Sequence, residues 1–328
     1  MNAIGGYFEL ELSKGNQYHV GALCLNTAHN CLEYVLLARK YKKLYIPYYT
    51  CDVVLKSLQK CHVEYEFYSI DVNLEPIECK PLQIGEGFLY TNYFGLKQSC
   101  VEKLSHIYKS QLIVDDAQAF FALRVEGIDT LYSPRKFFGV PDGGYLYTDC
   151  ILKQEFQQDS SYDRVKHLLL RIDKGAETGY LAFKTNEYSL SDMPIMKMSN
   201  LTQRLLAGIN YKETREKRVK NFIALHDKLK DINLLKLDLS VYDVPMIYPF
   251  YCEDPEMRKY LIDNKIFVAM YWPNVLEWCS PLNEEYSLCK YLIPLPIDQR
   301  YDTSDMEYIA QLIKAKYGRE NIFKSFRD

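Results

Sequence analysis

Short apolar runs alternate with helical segments along the first half of this sequence, and that alternation restricts the fold more than any other feature. Helical patterns begin after Asn30, at Val53 and at Cys100. The runs expected to form strands are Lys43–Tyr49, Val63–Ile70, Phe88–Phe94, Gln111–Asp115, Thr130–Ser133 and Gly144–Thr148. Parallel strands need long crossover connections, which are usually helices. The pattern therefore predicts an α/β fold with a mainly parallel central sheet and helices on both faces.

A different pattern begins near residue 200. Leu201–Leu229 is expected to form a long, charged helix that links two domains. Beyond it, strand-like and helical segments are mixed: Val244–Tyr251 and Ile266–Tyr271 are strand-like, and Pro255–Asn264 is helical. We therefore expect a large domain at residues 1–205 and a smaller C-terminal α+β domain, with its linking helix, at residues 206–328.

The last helix is predicted from its start signal and its periodicity. Ser304 is followed three residues later by Glu307, which matches a capping box. Apolar side chains then recur at helical spacing, at Met306, Ile309, Leu312 and Ile313. This spacing predicts a helix with one buried face.

Composition excludes several classes of protein. The 328 residues carry a net charge of −3, so no basic surface for nucleic acid is expected. The longest apolar runs, such as Tyr45–Tyr49 and Tyr291–Ile297, are far shorter than the ~20 residues that span a bilayer. The N-terminus lacks a signal-peptide pattern, and the ten cysteines are scattered without CxxC or zinc spacing. We expect a cytoplasmic protein with no metal site and no membrane or nucleic-acid partner.

Two aspartates end the apolar run Leu112–Asp116, and Ala117, Gln118 and Ala119 follow. Ligands bind beyond the carboxyl ends of parallel strands, so Asp115 is expected at the floor of a crevice. A buried carboxylate needs a cationic partner, and a protonated pyridine nitrogen is one. The small Ala117 would let a flat ring approach the backbone. Alone, however, such a pair of aspartates is more typical of a turn or a helix cap.

A lysine follows in a turn between two strand-like segments. Lys136 is flanked by Pro134, Phe137 and Phe138, which predict a sheltered position. Burial favours the neutral amine, the form that attacks an aldehyde carbon. Most single lysines are ordinary surface residues, so the spacing alone does not decide its role. The pair Gly143–Gly144 indicates either a close backbone approach or a hairpin turn.

The segment Asn26–Leu32 is a polar turn that opens a helix. Ala28, His29 and Asn30 would present backbone N–H groups at the start of this helix, where the helix dipole favours an anion. The segment is therefore a candidate phosphate site. A plain N-cap by Asn26 or Thr27 explains the same pattern.

Together and in this order, the three segments resemble the DegT/DnrJ/EryC1/StrS family of fold-type I pyridoxal-phosphate (PLP) aminotransferases. That family has a strand ending in Asp-x-Ala-Gln-Ala, then a Ser…Lys turn, then a Gly-Gly pair. The matches here are Asp115–Ala119, Ser133 with Lys136, and Gly143–Gly144. Val268–Pro273 resembles the family's crossover strand toward the substrate, and Leu295–Ile297 its late Leu-Pro motif.

The resemblance implies a role for each matched residue. Lys136 would be the Schiff-base lysine and later the proton shuttle, and Asp115 would hold the pyridine nitrogen. Gln118 would hydrogen-bond the ring hydroxyl, with Ala117 against the ring. The candidates for binding the cofactor phosphate are Ser133, Ala28, His29 and Asn30.

The sequence also departs from the family. Cys51 stands where the family places an aromatic residue over the ring, so either Tyr49 covers the ring from a shifted register or the stacking is lost. Ile195–Ser199 stands where many relatives have an Asn-Tyr-Arg segment that clamps the phosphate of the other subunit. Ser133 lies closer to Lys136 than in many relatives. These departures indicate an outlying subgroup.

The activity implied by the resemblance is transfer of an amino group from an amino acid, expected to be glutamate, to a keto-sugar nucleotide. Surface polysaccharide or related sugar biosynthesis would use such a reaction, and the family arrangement implies a homodimer. Lys136 argues against the family's dehydratases, in which histidine replaces this lysine. The alternative is a catalytically degenerate PLP-binding or regulatory protein on the same scaffold.

Tyrosines and arginines near the site segments suggest how a large polar acceptor could be bound. The tyrosines are Tyr48, Tyr49, Tyr90, Tyr93 and Tyr132. Tyrosine suits stacking on a sugar or base, although any single one is more often a core residue. Arg135 and Arg300 are candidates for a diphosphate, or else members of structural ion pairs.

Overall fold

A seven-stranded sheet forms the centre of the protein. The computed structural model describes residues 4–324, with side chains as far as residue 317; residues 1–3 and 325–328, at the ends of the two predicted domains, lie outside it. The strands are β1 (Leu23–Leu25), β2 (Lys43–Pro47), β3 (Glu64–Tyr68), β4 (Glu86–Thr91), β5 (Leu112–Asp116), β6 (Asp129–Tyr132) and β7 (Gly144–Tyr147). Their order is β1-β7-β6-β5-β4-β2-β3. Strands β2 to β6 are parallel, and β7 is antiparallel to both β6 and β1. The predicted α/β fold with a mainly parallel sheet is confirmed.

Helices on both faces bury the two sides of this sheet. The crossovers contain α1 (Ala28–Arg39), α2 (Asp52–Lys60) and α3 (Gln98–Tyr108). Successive strand residues point to opposite faces. Ile113 therefore joins an apolar cluster with α1 and α2, whereas its neighbours Leu112 and Val114 join a second cluster with α3. The near-continuous apolar runs in the sequence reflect this burial on both faces.

The predicted helix Leu201–Leu229 is in fact two helices. They are α6 (Asn200–Ala207) and α7 (Tyr211–Leu229), preceded by the helical hairpin of α4 (Lys166–Lys174) and α5 (Ala176–Leu190). The break follows Gly208, and Asn210 caps α7 by accepting a hydrogen bond from Glu213 N–H at 3.2 Å. Gly208 at the end of α6 and Asn210 two residues later, at the cap of α7, favour a stop and a new start over a continuous helix.

A two-stranded antiparallel sheet organises the C-terminal part. It pairs β8 (Tyr248–Tyr251) with β9 (Leu292–Leu295), and a third apolar cluster joins it to α7 and the later helices. Those helices are α8 (Met257–Asp263), α9 (Val275–Trp278), α10 (Glu284–Tyr291) and α11 (Thr303–Lys324). The predicted strand Val244–Tyr251 is therefore shortened, and the predicted strand Ile266–Tyr271 is wrong. That segment is irregular because β8 and β9 pair only with each other. The division at residue 205 stays a prediction.

The cap of α11 differs from the predicted capping box. Asp302 Oδ1 accepts the N–H of Ser304 at 2.8 Å, and Asp305 Oδ2 accepts the N–H of Asp302 at 3.0 Å. Ser304 lies inside the helix, and its hydroxyl donates to Asp302 at 2.6 Å. The earlier carboxylate is the stronger acceptor and takes the cap position. The predicted apolar face is buried at Met306, Ile309 and Ile313. Within residues 4–324, no helix has the length and apolarity that a membrane span requires.

Candidate cofactor site

The carboxyl edge of the sheet gathers the predicted site segments. Parallel strands β2, β5 and β6 lead at this edge into Cys51, Asp115 and Lys136, respectively. Strand β1 points the same way as β6, because both are antiparallel to β7. Helix α1 therefore begins at this edge as well, and its first residue is Ala28. This is the edge where open α/β sheets bind ligands.

Asp115 lies near the end of β5, opposite Thr91 of β4, and is partly buried. Its Oδ1 accepts the N–H of Ala117 at 2.9 Å. Burial raises the pKa of this carboxyl above its usual value, while the Ala117 N–H and the positive charge of Lys136 act in the opposite direction. Asp116 is only 1% exposed, and burial raises its pKa well above the usual value. Of the two aspartates, Asp115 is the one whose pKa is lowered by the positive charge of Lys136.

Lys136 ends a short 3-10 turn, Pro134–Lys136, directly after β6. The side chain is exposed, which differs from the sheltered position we expected. Its flanking residues Pro134, Phe137 and Phe138 are themselves buried and anchor the turn. The Nζ atom lies 5.9 Å from the centre of the Tyr271 ring. The packed neighbours thus hold the backbone while the amine stays accessible.

The side-chain amide of Gln118 uses its oxygen, but not its nitrogen, in a hydrogen bond within the described residues. The residue is 1% exposed, and its Oε1 accepts the N–H of Phe94 at 3.1 Å. Its Nε2 is buried and has no hydrogen-bond partner among the residues that the structure describes. A buried donor without a partner costs free energy, about 1–3 kcal/mol. An acceptor such as a ring hydroxyl oxygen would remove that cost, so Gln118 fits the predicted role.

The candidate phosphate turn is capped by Thr27. Its Oγ1 accepts the N–H of Asn30 at 3.1 Å, and its carbonyl accepts the N–H of Cys31. The Asn30 side chain is fully buried and donates to Glu33 and to the Met193 carbonyl, both at 3.1 Å. Asn30 therefore anchors the turn with its side chain. The backbone N–H groups of Ala28 and His29 come before those of Asn30 and Cys31 in the chain. Their role in binding a phosphate stays a prediction.

Positive charge surrounds His29. Burial is the main reason that the pKa of this histidine is lowered to about 4; the charges of Lys60 and Arg135 act in the same direction and that of Asp192 acts against them. Within the described part of the chain, the buried Nε2 of His29 has no hydrogen-bond partner, and neither does the buried Nε of Arg135, whose Nη2 contacts Glu187. Ser133, 5% exposed, begins the turn that carries Arg135. A neutral imidazole between two cations is a favourable place for an anion, which would also favour protonation of His29.

The Gly143–Gly144 pair forms a close backbone approach. A Cβ on Gly144 would lie 2.5 Å from the carbonyl carbon and oxygen of Thr27 and 2.7 Å from Ala28 N. Gly143 has φ +120° and donates to the Asn26 carbonyl at 2.6 Å. Only glycine permits both features. The pair therefore presses the start of β7 against the candidate phosphate turn.

Asp142 fixes this loop from the other side. Its fully buried carboxylate accepts the N–H and the hydroxyl of Ser199, at 2.8 and 2.7 Å, and the hydroxyl of Thr202. The carboxylate thus binds the start of α6, where the helix dipole favours negative charge. These contacts tie the loop after Lys136 to α6.

The segment Ile195–Ser199 lies beside the candidate phosphate turn of the same chain. Asn26 N–H donates to the Met196 carbonyl at 2.9 Å, and Met198 N–H donates to the Cys24 carbonyl at 3.0 Å. Lys197 pairs with Leu25 in an antiparallel bridge. The segment thus extends the sheet edge next to β1. It lacks the Asn-Tyr-Arg residues of many relatives.

Tyr49 and Cys51 occupy very different places. Tyr49 is fully buried, with its ring 5.2 Å from Trp272 and 5.6 Å from Tyr93. Cys51 is partly buried at the N-cap of α2, where burial raises the pKa of its thiol and the charge of Lys136 lowers it. Cys51 is therefore the nearer of the two, in electrostatic terms, to the lysine. Which of them covers a bound ring stays a prediction.

Most of the other candidate acceptor residues have structural partners. Tyr90, Tyr93 and Tyr132 are fully buried, and their hydroxyls donate to backbone carbonyls. Tyr48 stacks on Phe67 at 4.5 Å. The arginines are in ion pairs: Arg300 binds Asp298 through two hydrogen bonds, at 2.7 and 2.8 Å, and Arg135 contacts Glu187.

Two neighbours of the site were not predicted from the sequence. Tyr271 belongs to a segment that the family resemblance had singled out as a strand, and burial raises its pKa to about 12, so it is a neutral phenol. Thr91, opposite Asp115, has a buried hydroxyl to which no side chain or backbone group of residues 4–317 is hydrogen-bonded. In the sequence, only the place of Thr91 in a predicted strand, Phe88–Phe94, pointed to a position near the site. A cleft of about 770 Å³ adjoins the segment before Tyr271 and lies between α4–α5 and the C-terminal part.

Solved structures share this fold at low sequence identity. No protein-family model and no curated protein matches the sequence. A DegT DnrJ EryC1 StrS aminotransferase from Brucella abortus is similar with a TM-score of 0.60 at 15% identity, over 90% of this chain and 86% of that one. NtdA from Bacillus subtilis, solved with bound cofactor PMP, gives 0.58 at 14% over 89% and 73%. DesI, solved in the presence of its TDP-sugar product, gives 0.61 at 16% over 94% and 83%.

These comparisons define the class of fold. The chain has the fold of the fold-type I aminotransferases. Within that class, it is similar to the sugar aminotransferases of the DegT/DnrJ/EryC1/StrS type. The resemblance read from the motifs is thus confirmed for the fold.

Proposed function

We propose that this protein is a PLP-dependent aminotransferase that moves an amino group from an amino acid, glutamate in the simplest case, to a keto-sugar nucleotide. The observation that carries the proposal is the meeting of Asp115, Gln118 and Lys136 at the carboxyl edge of one sheet. Gln118 supports it further, because its buried Nε2 lacks a partner within the described residues. The fold shared with sugar aminotransferases supports this reaction class.

Bound PLP would supply an electron sink that weakens the bonds to the amino acid's α-carbon. The residues of this chain would bind it and move protons. Asp115, held by the Ala117 N–H, would keep a proton on the pyridine nitrogen. Gln118 Nε2 would donate to the ring hydroxyl. Lys136 would anchor the aldehyde and then carry protons at its Nζ, since its side chain is accessible.

The phosphate would bind beside the start of α1. The N–H groups of Ala28 and His29, with Ser133, would donate to it. Arg135 has a buried Nε without a partner, and its charge reaches His29. This arginine would supply, from within the chain, positive charge that many relatives take from the Asn-Tyr-Arg segment of the other subunit.

The acceptor would enter the cleft of about 770 Å³ between α4–α5 and the C-terminal part. Its wall carries Arg171 and Lys184, and the Lys184 ammonium lies 5.7 Å from the centre of the Tyr180 ring. Cations beside an aromatic face suit a sugar nucleotide, whose diphosphate is anionic and whose base is flat. The amino-acid donor would bind directly over Lys136.

The test is covalent trapping followed by two half-reactions. The protein is incubated with PLP, reduced with borohydride and digested, and mass spectrometry locates the cofactor on the peptide that contains Lys136. A second sample, neither reduced nor digested, is treated with glutamate to aminate the bound cofactor and is then offered keto-sugar nucleotides or small keto acids separately. Recovery of the original absorbance only with the sugar nucleotides supports the proposal.

The Lys136→Ala variant is the control for trapping, and Lys197→Ala is its match, because Lys197 is also exposed and belongs to a site-adjacent segment. Trapping at a different lysine contradicts the site. Recovery with small keto acids alone identifies an amino-acid transaminase. Trapping at Lys136 without any amination by amino acids identifies a PLP-binding scaffold, the function that the missing aromatic residue at Cys51 favours.

We also propose that the active form is a homodimer. Apolar side chains on the α4–α5 hairpin are unusually exposed, such as Ile172 at 81% and Leu181 at 78%. Contiguous exposed apolar surface is typical of an interface. Sedimentation at micromolar concentration should give a dimer, and a monomer that is active at that concentration contradicts a site shared between subunits.

A further inference from the structure

Two side chains from the C-terminal part hold the carbonyl of Phe137, the residue directly after Lys136. Gln299 Nε2 donates to this oxygen at 2.8 Å, and Arg218 Nη2 donates at 3.4 Å. The Arg218 guanidinium also lies 4.5 Å from the centre of the Phe137 ring. Because Phe137 is bonded to Lys136, these contacts fix the turn that presents the lysine.

Burial of the charged Arg218 side chain costs free energy of desolvation. It lies in α7 and is 1% exposed, and burial lowers its pKa to about 10. Its Nε donates to Gln299 Oε1 at 3.0 Å and its Nη1 to the Met246 carbonyl at 2.9 Å. No carboxylate of the described residues forms an ion pair with it. A buried charge that is bound mainly to carbonyls adds little to the stability of the fold, because an apolar side chain of similar size often stabilises a core equally well.

The other end of this network reaches Gln118. Met246 N–H donates to the Phe94 carbonyl at 2.8 Å, and Phe94 N–H donates to Gln118 Oε1 at 3.1 Å. Hydrogen bonds therefore run from the Lys136 turn through Arg218, Met246 and Phe94 to Gln118. One guanidinium joins the two segments that flank the candidate cofactor site.

We propose that Arg218 is a positioning residue that sets the separation of Lys136 and Gln118 by holding Phe137 and Met246 at once. The inference rests on the proposed function. The planar guanidinium suits the task because its five donors have a fixed geometry, so it binds several carbonyls in set directions. Lysine, with one flexible ammonium, cannot hold the same three directions.

The experiment compares Arg218→Met, Arg218→Lys and Gln299→Met with the unaltered protein, each loaded with PLP. The first readout is the pH midpoint of the visible absorbance of the bound cofactor, and the second is the separation of kcat from KM in the glutamate half-reaction. Misplacement of Lys136 should shift the midpoint by about one pH unit and lower kcat on the order of 100-fold, with KM unchanged. Gln299→Met should shift both in the same direction by less.

Asn233→Leu is the matched control. Asn233 also fastens the C-terminal part, through Pro249 and Tyr251, but contacts neither Phe137 nor Met246. It should lose stability to urea while keeping the absorbance midpoint and kcat. Arg218 variants that bind PLP with an unchanged midpoint and kcat overturn the proposal, as does an equal shift in Asn233→Leu. If the Arg218 variants do not fold, Gln299→Met decides. Failure of the unaltered protein to take PLP at Lys136 overturns the proposed function as well, and is recognised because no substitution is involved.

Discussion

The Nζ of Lys136 lies 5.9 Å from the centre of the Tyr271 ring, so an aromatic side chain from the C-terminal part faces the candidate cofactor-anchoring amine. The ring offers this exposed ammonium group a stabilisation of about 0.5–1 kcal/mol. It also limits the positions that the long lysine side chain can take.

This contact predicts different results for two substitutions of Tyr271. Tyr271→Ala removes the ring and with it the restraint on the Lys136 side chain, so cofactor binding should weaken on the order of fivefold. Tyr271→Phe keeps the ring and should bind the cofactor as the unaltered protein does, because the hydroxyl is not part of the contact. Titration of the apoprotein with PLP measures both affinities. Equal weakening in the two variants would show that the hydroxyl matters and the ring contact does not.

Asp115 should be needed for transamination and not for stability. Burial raises the pKa of this carboxyl, so ionised Asp115 lowers stability as pH rises from the unfolded pKa of 3.8 to the raised folded value. Asp115→Asn should therefore abolish amination by glutamate while the free energy of unfolding at pH 7 stays the same or rises. Asp142→Asn is the contrasting control, because its carboxylate accepts several buried hydrogen bonds and its loss should cost about 1–3 kcal/mol. Urea unfolding compares the variants.

Gln118 allows its two amide functions to be separated. Gln118→Glu keeps an acceptor for the Phe94 N–H but loses the amide donor, so PLP affinity should fall roughly tenfold, and the new carboxylate, buried at a position that is 1% exposed, should also lower stability. Gln118→Leu should lose both, because it also leaves the buried Phe94 N–H unpaired. Spectroscopic titration with PLP and urea unfolding give the two quantities. A Glu variant that binds PLP with unchanged affinity would remove Gln118 from the site.

His19 should make stability depend on pH between about 4 and 6.5. Burial lowers its pKa from 6.5 to about 4 in the folded protein, and one of its ring nitrogens, Nε2, lies 2.8 Å from the Phe120 carbonyl. The unfolded chain binds the proton more tightly, so this contribution to stability is complete above pH 6.5 and is lost as pH falls toward 4. It amounts to about 3 kcal/mol. His19→Gln should flatten the pH dependence of urea unfolding across this window, and parallel curves for both proteins would contradict the assignment.

The sequence by itself determined the α/β class and the order of the site segments. Runs such as Leu112–Asp116 are apolar throughout because both faces of a parallel strand are buried, so strand and sheet type can be predicted from local pattern. The same run ends in Asp115 at the carboxyl edge, where the fold rules place ligands. Asp115 and Lys136 could be named together before any coordinates only through the resemblance of the three ordered segments to a known family, because each segment alone is more typical of an ordinary turn or surface residue.

Only the tertiary structure decided which side chains are free to act. Tyr49 and Cys51 are two residues apart in the sequence. Tyr49 is fully buried in the core, whereas the thiol of Cys51 has its pKa lowered by the charge of Lys136. Ile266–Tyr271 looked like a strand but has no strand beside it, since pairing depends on a distant partner. Arg218 carries no local signal at all. The positioning role proposed for it depends on its hydrogen bonds to the carbonyls of Phe137 and Met246, which lie far away in the sequence. Burial and hydrogen bonding of this kind are properties of the packed chain.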